Sequence, residues 1–214
     1  MWNLDRKSSD LPETVRTAVL VSGGGSNLDA ILSAQKAGHL GSAQVTLVIS
    51  SRAGVKALEH AAAYQIPACV LERAKFSSEK EFQQAVLSAL KAARIQLVCL
   101  AGYLRLLSPD IIAAFRGRIL NIHPSLLPKF GGSGMYGHHV HAAVLKAEEP
   151  FSGCSVHVVD EEFDHGPVIA SARVPVEKND TPETLAARIL EQEHQLYPKT
   201  IAAFSASLIG APHD

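Results

Sequence analysis

The sequence predicts an α/β fold, a doubly wound and mainly parallel seven-stranded sheet. Three observations predict it. Short, nearly continuous apolar runs alternate with amphipathic segments through residue 123, as strands covered on both faces alternate with their crossover helices. The first run leads into a glycine turn and a helix start, one βα unit. The last two runs are joined by residues 160–167, a loop short enough for an antiparallel pair.

In chain order, residues 17–22 (TAVLVS) form the first strand, and Gly23-Gly24-Gly25-Ser26-Asn27 turns into a helix carrying Leu28, Ile31 and Leu32 inward. A second strand at 44–50 (QVTLVIS) and a helix at 55–64 follow, then a short strand at 68–71. Ser78-Glu79-Lys80-Glu81 has the spacing of a capping box and opens a helix through 93. The strand 97–101 precedes Ser108-Pro109-Asp110, a cap with proline at the first helical position of a helix to about 115. Residues 119–123 make the fifth strand. Beyond Pro128 the texture changes: 130–139 is glycine-rich and irregular, 141–147 a short helix, and 154–159 and 168–176 are strands. Thr181-Pro182 opens a last helical region to about 196, resumed after Tyr197-Pro198. The expected organisation is one domain over 17–207, with a frayed extension at 1–16 and a tail at 208–214.

The 214 residues are 47% apolar and 19% charged, enough for a sizeable core and too apolar for wholesale disorder. With 20 basic against 21 acidic residues there is no basic excess for nucleic acid or an anionic membrane, so a phosphate-bearing ligand must be held locally. Cys69, Cys99 and Cys154 are scattered in strand-like runs without a CxxC pair, which favours reduced core thiols over disulfides or zinc. The first seventeen residues carry Asp5, Asp10 and Glu13 and lack the apolar core of a signal peptide, and no later segment is long enough to span a bilayer. A cytoplasmic enzyme or binding protein is expected.

The chemistry centres on Asn121-Ile122-His123-Pro124. Proline cannot extend a central ladder, so the strand stops there. Side chains alternate along a strand, which sets Asn121 and His123 on one face at a carboxyl end, where open α/β sheets bind ligands. An amide donor beside an imidazole can hold an oxyanion. Taken alone, His123 is better explained as a satisfied histidine at a strand end. The acidic cluster Asp160, Glu161, Glu162 and Asp164 shifts the balance. Asp164, before the Gly166 turn, can be brought inward, and a carboxylate beside His123 keeps the ring protonated. His157, on the opposite strand face from Val156 and Val158, is read equally as an orienting partner or a buried structural histidine. The backbone of Gly25, Ser26 and Asn27 suits a phosphate monoester at a helix N-terminus. The turn is not G-x-G-x-x-G, and the second strand ends Ser50-Ser51-Arg52 without the acid a dinucleotide ribose needs. His138, His139 and His141 fit no zinc pattern and read as loop histidines near a polar substrate. No G-x-S-x-G or similar signature supports a covalent acyl enzyme.

Four ordered motifs carry a resemblance: Val21-Ser22-Gly23-Gly24-Gly25-Ser26-Asn27-Leu28, Leu100-Ala101-Gly102-Tyr103-Leu104-Arg105-Leu106-Leu107-Ser108-Pro109, Leu120-Asn121-Ile122-His123-Pro124-Ser125-Leu126-Leu127-Pro128 and Asp164-His165-Gly166-Pro167. Together, from about residue 17 to 204, the chain resembles the phosphoribosylglycinamide formyltransferases, folate-dependent enzymes of purine synthesis. The resemblance implies the formyltransferase fold with an N-terminal mononucleotide-binding half. It also implies transfer of the formyl group of 10-formyltetrahydrofolate, a co-substrate, to the amine of glycinamide ribonucleotide, with no metal. Asn121, His123 and Asp164 fall on the family's catalytic positions, with Asn121 and His123 holding the oxyanion and Asp164 sustaining the histidine's charge and relaying a proton. Gly25, Ser26 and Asn27 take the phosphate and Glu193 the ribose hydroxyls. Tyr103, Leu104, Arg105 and Leu107 line the folate slot, with Arg105 suited to a glutamate-tail carboxylate.

The chain departs from the family pattern at Glu79-Lys80, where an arginine is common. It departs again in the longer glycine-rich segment 131–139, expected to close over the substrates. The expected partners are these small molecules, with no nucleic acid or membrane, for a monomer or homodimer. A formyltetrahydrofolate deformylase is the nearest rival, disfavoured by the phosphate turn and by an amino-terminal stretch of 16 residues, too short for its regulatory domain. Methionyl-tRNA formyltransferase lacks support in a further domain or basic surface. A non-catalytic nucleotide-binding module leaves the Asn-His pair and acidic loop without a purpose.

Overall fold

The computed structural model describes residues 14–209. Strands β1 (Val15–Val21), β2 (Ala43–Ser50), β3 (Ala68–Val70), β4 (Leu97–Leu100), β5 (Ile119–His123), β6 (Phe151–Val158) and β7 (Val168–Pro175) form one sheet in the order β3-β2-β1-β4-β5-β6-β7. The first five strands run parallel. β6 pairs antiparallel with β5, and β7 with β6. Helices α1 (Ser26–Lys36), α2 (Lys56–Ala63), α3 (Glu79–Ala92), α4 (Pro109–Ala114), α5 (His138–Lys146) and α6 (Pro182–Ala206) cover the two faces.

Alternation along β1 shows how the apolar runs are used. Val19 and Val21 join Leu28 and Ile31 of α1 and Ile189 and Ile201 of α6 in one core. Ala18 and Leu20 join Phe82 and Val86 of α3 and Ile111 of α4 in the other. Strand order reverses direction between β1 and β4, so the loops after these strands diverge and leave a crevice at their carboxyl ends.

Several boundaries differ from expectation. β1 begins at Val15, not residue 17, because Val15 is buried and pairs with Ala43, so the expected extension 1–16 loses its last two residues to the sheet. The rest of that extension through residue 13, and the expected tail from residue 210, lie outside the described residues. β6 starts at Phe151, where Gly153 is required: a Cβ there would lie 1.9 Å from the Ala172 carbonyl oxygen on β7. α5 begins at His138, so His138 and His139 sit on a helix and not in a loop; Val140, His141 and Val144 form its buried face. α6 continues through Pro198, because Tyr197, Thr200, Ile201 and Ser205 are buried beyond it and their packing offsets the roughly 3 kcal/mol cost of an interior proline. At α3, Ser78 accepts from the Glu81 N–H at 3.1 Å, but the Glu81 carboxylate returns to Ser77 and not to Ser78, so the capping box is half made. α6 has the complete reciprocal box, between Thr181 and Thr184.

Tyr197 ties α6 to the floor of the crevice. Its ring is fully buried, and its hydroxyl bridges the carbonyls of Leu100 (3.0 Å) and Leu120 (2.9 Å), on adjacent strands. Tyr197→Phe strands those buried acceptors and is expected to cost about 1–3 kcal/mol, read as a fall in Tm by calorimetry.

Asp180, before α6, receives Arg188 Nη1 at 2.9 Å and the Thr184 hydroxyl at 2.8 Å. The Arg188 hydrogen bond, against an opposing burial effect, lowers its carboxyl from 3.8 to about 2. A folded-state value below the unfolded one stabilises above the unfolded pKa and loses that contribution as pH falls through the folded one. Asp180→Asn is therefore expected to lower Tm at neutral pH, with the gap to the parent closing between about pH 4 and pH 2 in a pH series.

Candidate active site

The crevice at the carboxyl ends of β1, β4 and β5 is a cleft of about 730 Å³. Its lining includes Asn27, Tyr103, Leu104, Arg105, Leu107, Asn121, His123, His157, Asp164 and Glu193. Of the residues expected from the sequence to serve the site, Gly25 and Ser26 stand at the turn beside Asn27, and of the three histidines read as lying near a polar substrate only His141 lines the cleft, not His138 or His139.

At its centre, β5 ends in proline and directs Asn121 and His123 to the same face. The antiparallel register sets His157 of β6 directly across from Asn121, which makes their contact a cross-strand pair. Asn121 Nδ2 lies 3.0 Å from His157 Nε2 and donates to Asp164 Oδ1 at 3.3 Å. His157 Nδ1 faces the Val158 carbonyl at 3.3 Å, and Nε2, beside the Asn121 amide, also lies 3.5 Å from Asp164 Oδ1. His157 is thus both buried and in contact with Asn121, uniting the two readings the sequence left open.

His123 Nε2 donates to the Phe130 carbonyl at 2.8 Å, and Nδ1 stands 3.4 Å from Asp164 Oδ2. Both ring nitrogens face oxygen acceptors, an arrangement that only the doubly protonated ring satisfies in full. Asp164 sits at φ 54° in the loop after β6, and Gly132 N–H donates to its Oδ2 at 3.1 Å. Burial opposes its charge, but the hydrogen bonds of His123 and His157, the charge of His123 and the Gly132 N–H together outweigh burial and hold the carboxyl well below the usual carboxylate range. Neither the Phe130 carbonyl nor the Gly132 amide was singled out from the sequence, since a backbone group has no residue signature.

The glycine turn lies at the amino end of α1. Gly25 is the N-cap residue at φ 75°, and α1 has no side-chain cap, so its first N–H groups are free of side-chain partners. A Cβ on Gly25 would come within 2.6 Å of Ala57, so only glycine lets α1 and α2 approach this closely. Asn27 Nδ2 donates to Glu193 Oε2 at 2.6 Å across from α6. Glu193 is buried, and burial pushes its carboxyl up against the opposing effects of Asn27 and His123.

The segment after β4 forms the apolar side of the cleft. Tyr103 and Leu107 are buried, while Leu104 and Leu106 expose about half their surface at the rim. The Tyr103 hydroxyl is buried without a partner, and burial pushes it up to about 12. The Arg105 guanidinium lies over the Phe82 ring at 5.5 Å. Ser22 Oγ, at the end of β1, accepts from Leu104 N–H at 3.0 Å and meets Ser51 Oγ at 2.6 Å, tying this segment to the glycine turn. Gln83 of α3 braces it from behind through the Leu106 carbonyl at 2.9 Å. At the start of α3, where the sequence has Glu79-Lys80, Glu79 pairs with Arg73 at 2.7 Å. Residues 132–137 of the glycine-rich segment line the opposite rim. Among the described residues, no group of three or more His, Cys, Asp or Glu side chains is placed to hold a metal ion.

Comparison with known proteins agrees with this geometry. The family model described as formyl transferase matches residues 15–201. The trifunctional purine biosynthetic protein adenosine-3 of Drosophila pseudoobscura pseudoobscura is 43% identical over 91% of this chain and 14% of its own length. The chloroplastic phosphoribosylglycinamide formyltransferase of Vigna unguiculata is 42% identical over 88% of this chain and 60% of its own. The chain therefore spans a small part of the first relative and somewhat over half of the second. The crystal structure of the phosphoribosylglycinamide formyltransferase from Brucella melitensis superposes with a TM-score of 0.83 at 44% identity, covering 90% of this chain and 96% of that one. With the sheet order, the cleft and the match across nearly all described residues in agreement, the chain belongs to the formyl transferase family.

Proposed function

We propose that the chain transfers the formyl group of 10-formyltetrahydrofolate to the amine of glycinamide ribonucleotide, giving the N-formyl ribonucleotide and tetrahydrofolate in purine biosynthesis. The observation that carries the reading is the Asn121–His123–Asp164 constellation, set in one cleft between an uncapped helix N-terminus and an apolar slot. The relatives from Vigna unguiculata and Brucella melitensis bear the name phosphoribosylglycinamide formyltransferase.

Each region fits one part of the chemistry. Gly25, Ser26 and Asn27 hold the phosphate through backbone N–H groups, and Glu193 takes the ribose hydroxyls. Tyr103, Leu104 and Leu107 form an apolar slot of the kind a pterin ring fills, and Arg105 offers two parallel donors to a carboxylate of the glutamate tail. Carried on N10, the formyl group supplies the electrophilic carbon. Asn121 Nδ2, sharing the hydrogen of its 3.3 Å contact with Asp164, and His123 Nε2–H, sharing its hydrogen with the Phe130 carbonyl, stabilise the oxygen of that carbon as charge develops. Asp164 keeps both donors aimed and His123 charged, and His157 holds the Asn121 amide. The glycine-rich rim closes over the two substrates and excludes water, which separates transfer from hydrolysis.

The reading describes a cytoplasmic enzyme acting on two small molecules as a monomer or homodimer, without nucleic acid or membrane. Among the described residues no helix is long and apolar enough to cross a membrane. The test follows tetrahydrofolate release from 10-formyltetrahydrofolate with and without glycinamide ribonucleotide. Release that requires the ribonucleotide is expected; release independent of it would identify a hydrolase, and no release at all a binding module.

A further inference from the structure

The amine of a glycinamide is an ammonium at neutral pH, with an ordinary pKa of about 7.7–8.0, and must lose a proton before it can attack. The groups already described accept that proton poorly. Asp164 is held well below the usual carboxylate range, which makes it a weak base. The ring nitrogens of His123 face Phe130 and Asp164, and those of His157 face Val158 and Asn121.

A third imidazole lines the cleft. His141 lies on the buried face of α5, is 4% exposed, and its Nδ1 is buried without a hydrogen-bond partner. An unsatisfied buried nitrogen is costly, and the ring that carries it lines the cleft. Its charge environment favours a neutral ring: burial first, then His138 on its own helix and His123 on β5, lower its pKa from 6.5. The acids facing the same cleft from α6 are Glu193, bound to Asn27, and Glu183, bound to His138 at 2.8 Å. Asp160, Glu162 and Asp164 face it from the loop after β6.

We infer that His141 is the general base that takes the first proton from the substrate ammonium. This inference rests on the proposed formyl transfer. The proton moves from the ammonium nitrogen to a ring nitrogen of His141, leaving a neutral amine. That amine forms the new C–N bond to the formyl carbon while the bond from carbon to the folate nitrogen breaks. The second amine proton goes to the departing folate nitrogen, and His141 returns the first to water.

The test compares kcat against pH for the parent, His141→Asn and Glu193→Gln, with saturating glycinamide ribonucleotide and 10-formyltetrahydrofolate. Asparagine keeps a polar group near the Nδ1 position but cannot accept a proton. The expected loss in His141→Asn is about 10²-fold at pH 7, in the range of a positioned general base. Its acid limb is expected to move from below 6.5 toward the ammonium's own value of about 8, so that raising pH recovers much of the rate. Glu193→Gln is expected to raise KM for the ribonucleotide without moving the limb. If His141→Asn is poorly folded, His141→Gln is measured in its place with the same expectation. Parent-like kcat and an unmoved limb would overturn the inference, as would a limb that shifts in Glu193→Gln instead. A parent enzyme that forms no N-formyl product would instead defeat the proposed function itself.

Discussion

Asp164→Asn is expected to lower kcat by about 10²–10³-fold while leaving KM for both substrates within a few-fold of the parent. The substitution is nearly isosteric, and asparagine tolerates the left-handed φ of 54° at this position about as well as aspartate, so the loop keeps its course. What changes is charge. The carboxylate serves four neighbours at once: His123 Nδ1 at 3.4 Å, Asn121 Nδ2 at 3.3 Å, His157 Nε2 at 3.5 Å and Gly132 N–H at 3.1 Å. An amide can present its oxygen to only one side, so either His123 or Asn121 meets an NH₂ group where it met an acceptor. His123 then loses the negative partner that supports its second proton. The loss falls on a donor that matters most as charge develops on the formyl oxygen, hence on kcat before KM. Unchanged turnover in this variant would remove Asp164 from the mechanism.

His123→Asn is expected to cost a similar factor, about 10²–10³ in kcat. It also leaves the Phe130 carbonyl without its 2.8 Å donor. If His123 and Asp164 act as one unit, the double variant His123→Asn with Asp164→Asn is little slower than either single variant, because removing one already disables the other. Multiplying losses in that cycle would show two independent contributions and contradict the coupled geometry.

The sequence disclosed most of the sheet for a physical reason. Strands covered on both faces are apolar at nearly every position, so 17–22, 44–50, 97–101 and 119–123 stand out from the amphipathic helices between them. The errors occur where tertiary burial outweighs local preference. Val15 extends β1 because Ala43 pairs with it, and α6 runs through Pro198 because its far half is pinned to the core. In the site, Asn121 and His123 could be read together because alternation fixes their shared face, whereas His157 comes opposite through the antiparallel pairing of β5 with β6 across the intervening α5. Long-range ties were not legible. The Ser22–Leu104 bond joins loops 82 residues apart, and the Asn27–Glu193 bond spans 166. The backbone partners of His123 and Asp164 lie in the glycine-rich segment, which offers no side-chain signal.

The central claim is that this cleft delivers a formyl group to an amine and not to water. The most direct measurement is a single turnover with enzyme in excess, using 10-formyltetrahydrofolate labelled with ¹³C in the formyl carbon and unlabelled glycinamide ribonucleotide, followed by NMR. The account predicts that the label appears on the amide nitrogen of the ribonucleotide product, one equivalent per tetrahydrofolate released. Label recovered as free formate, with the ribonucleotide unmodified, would contradict it.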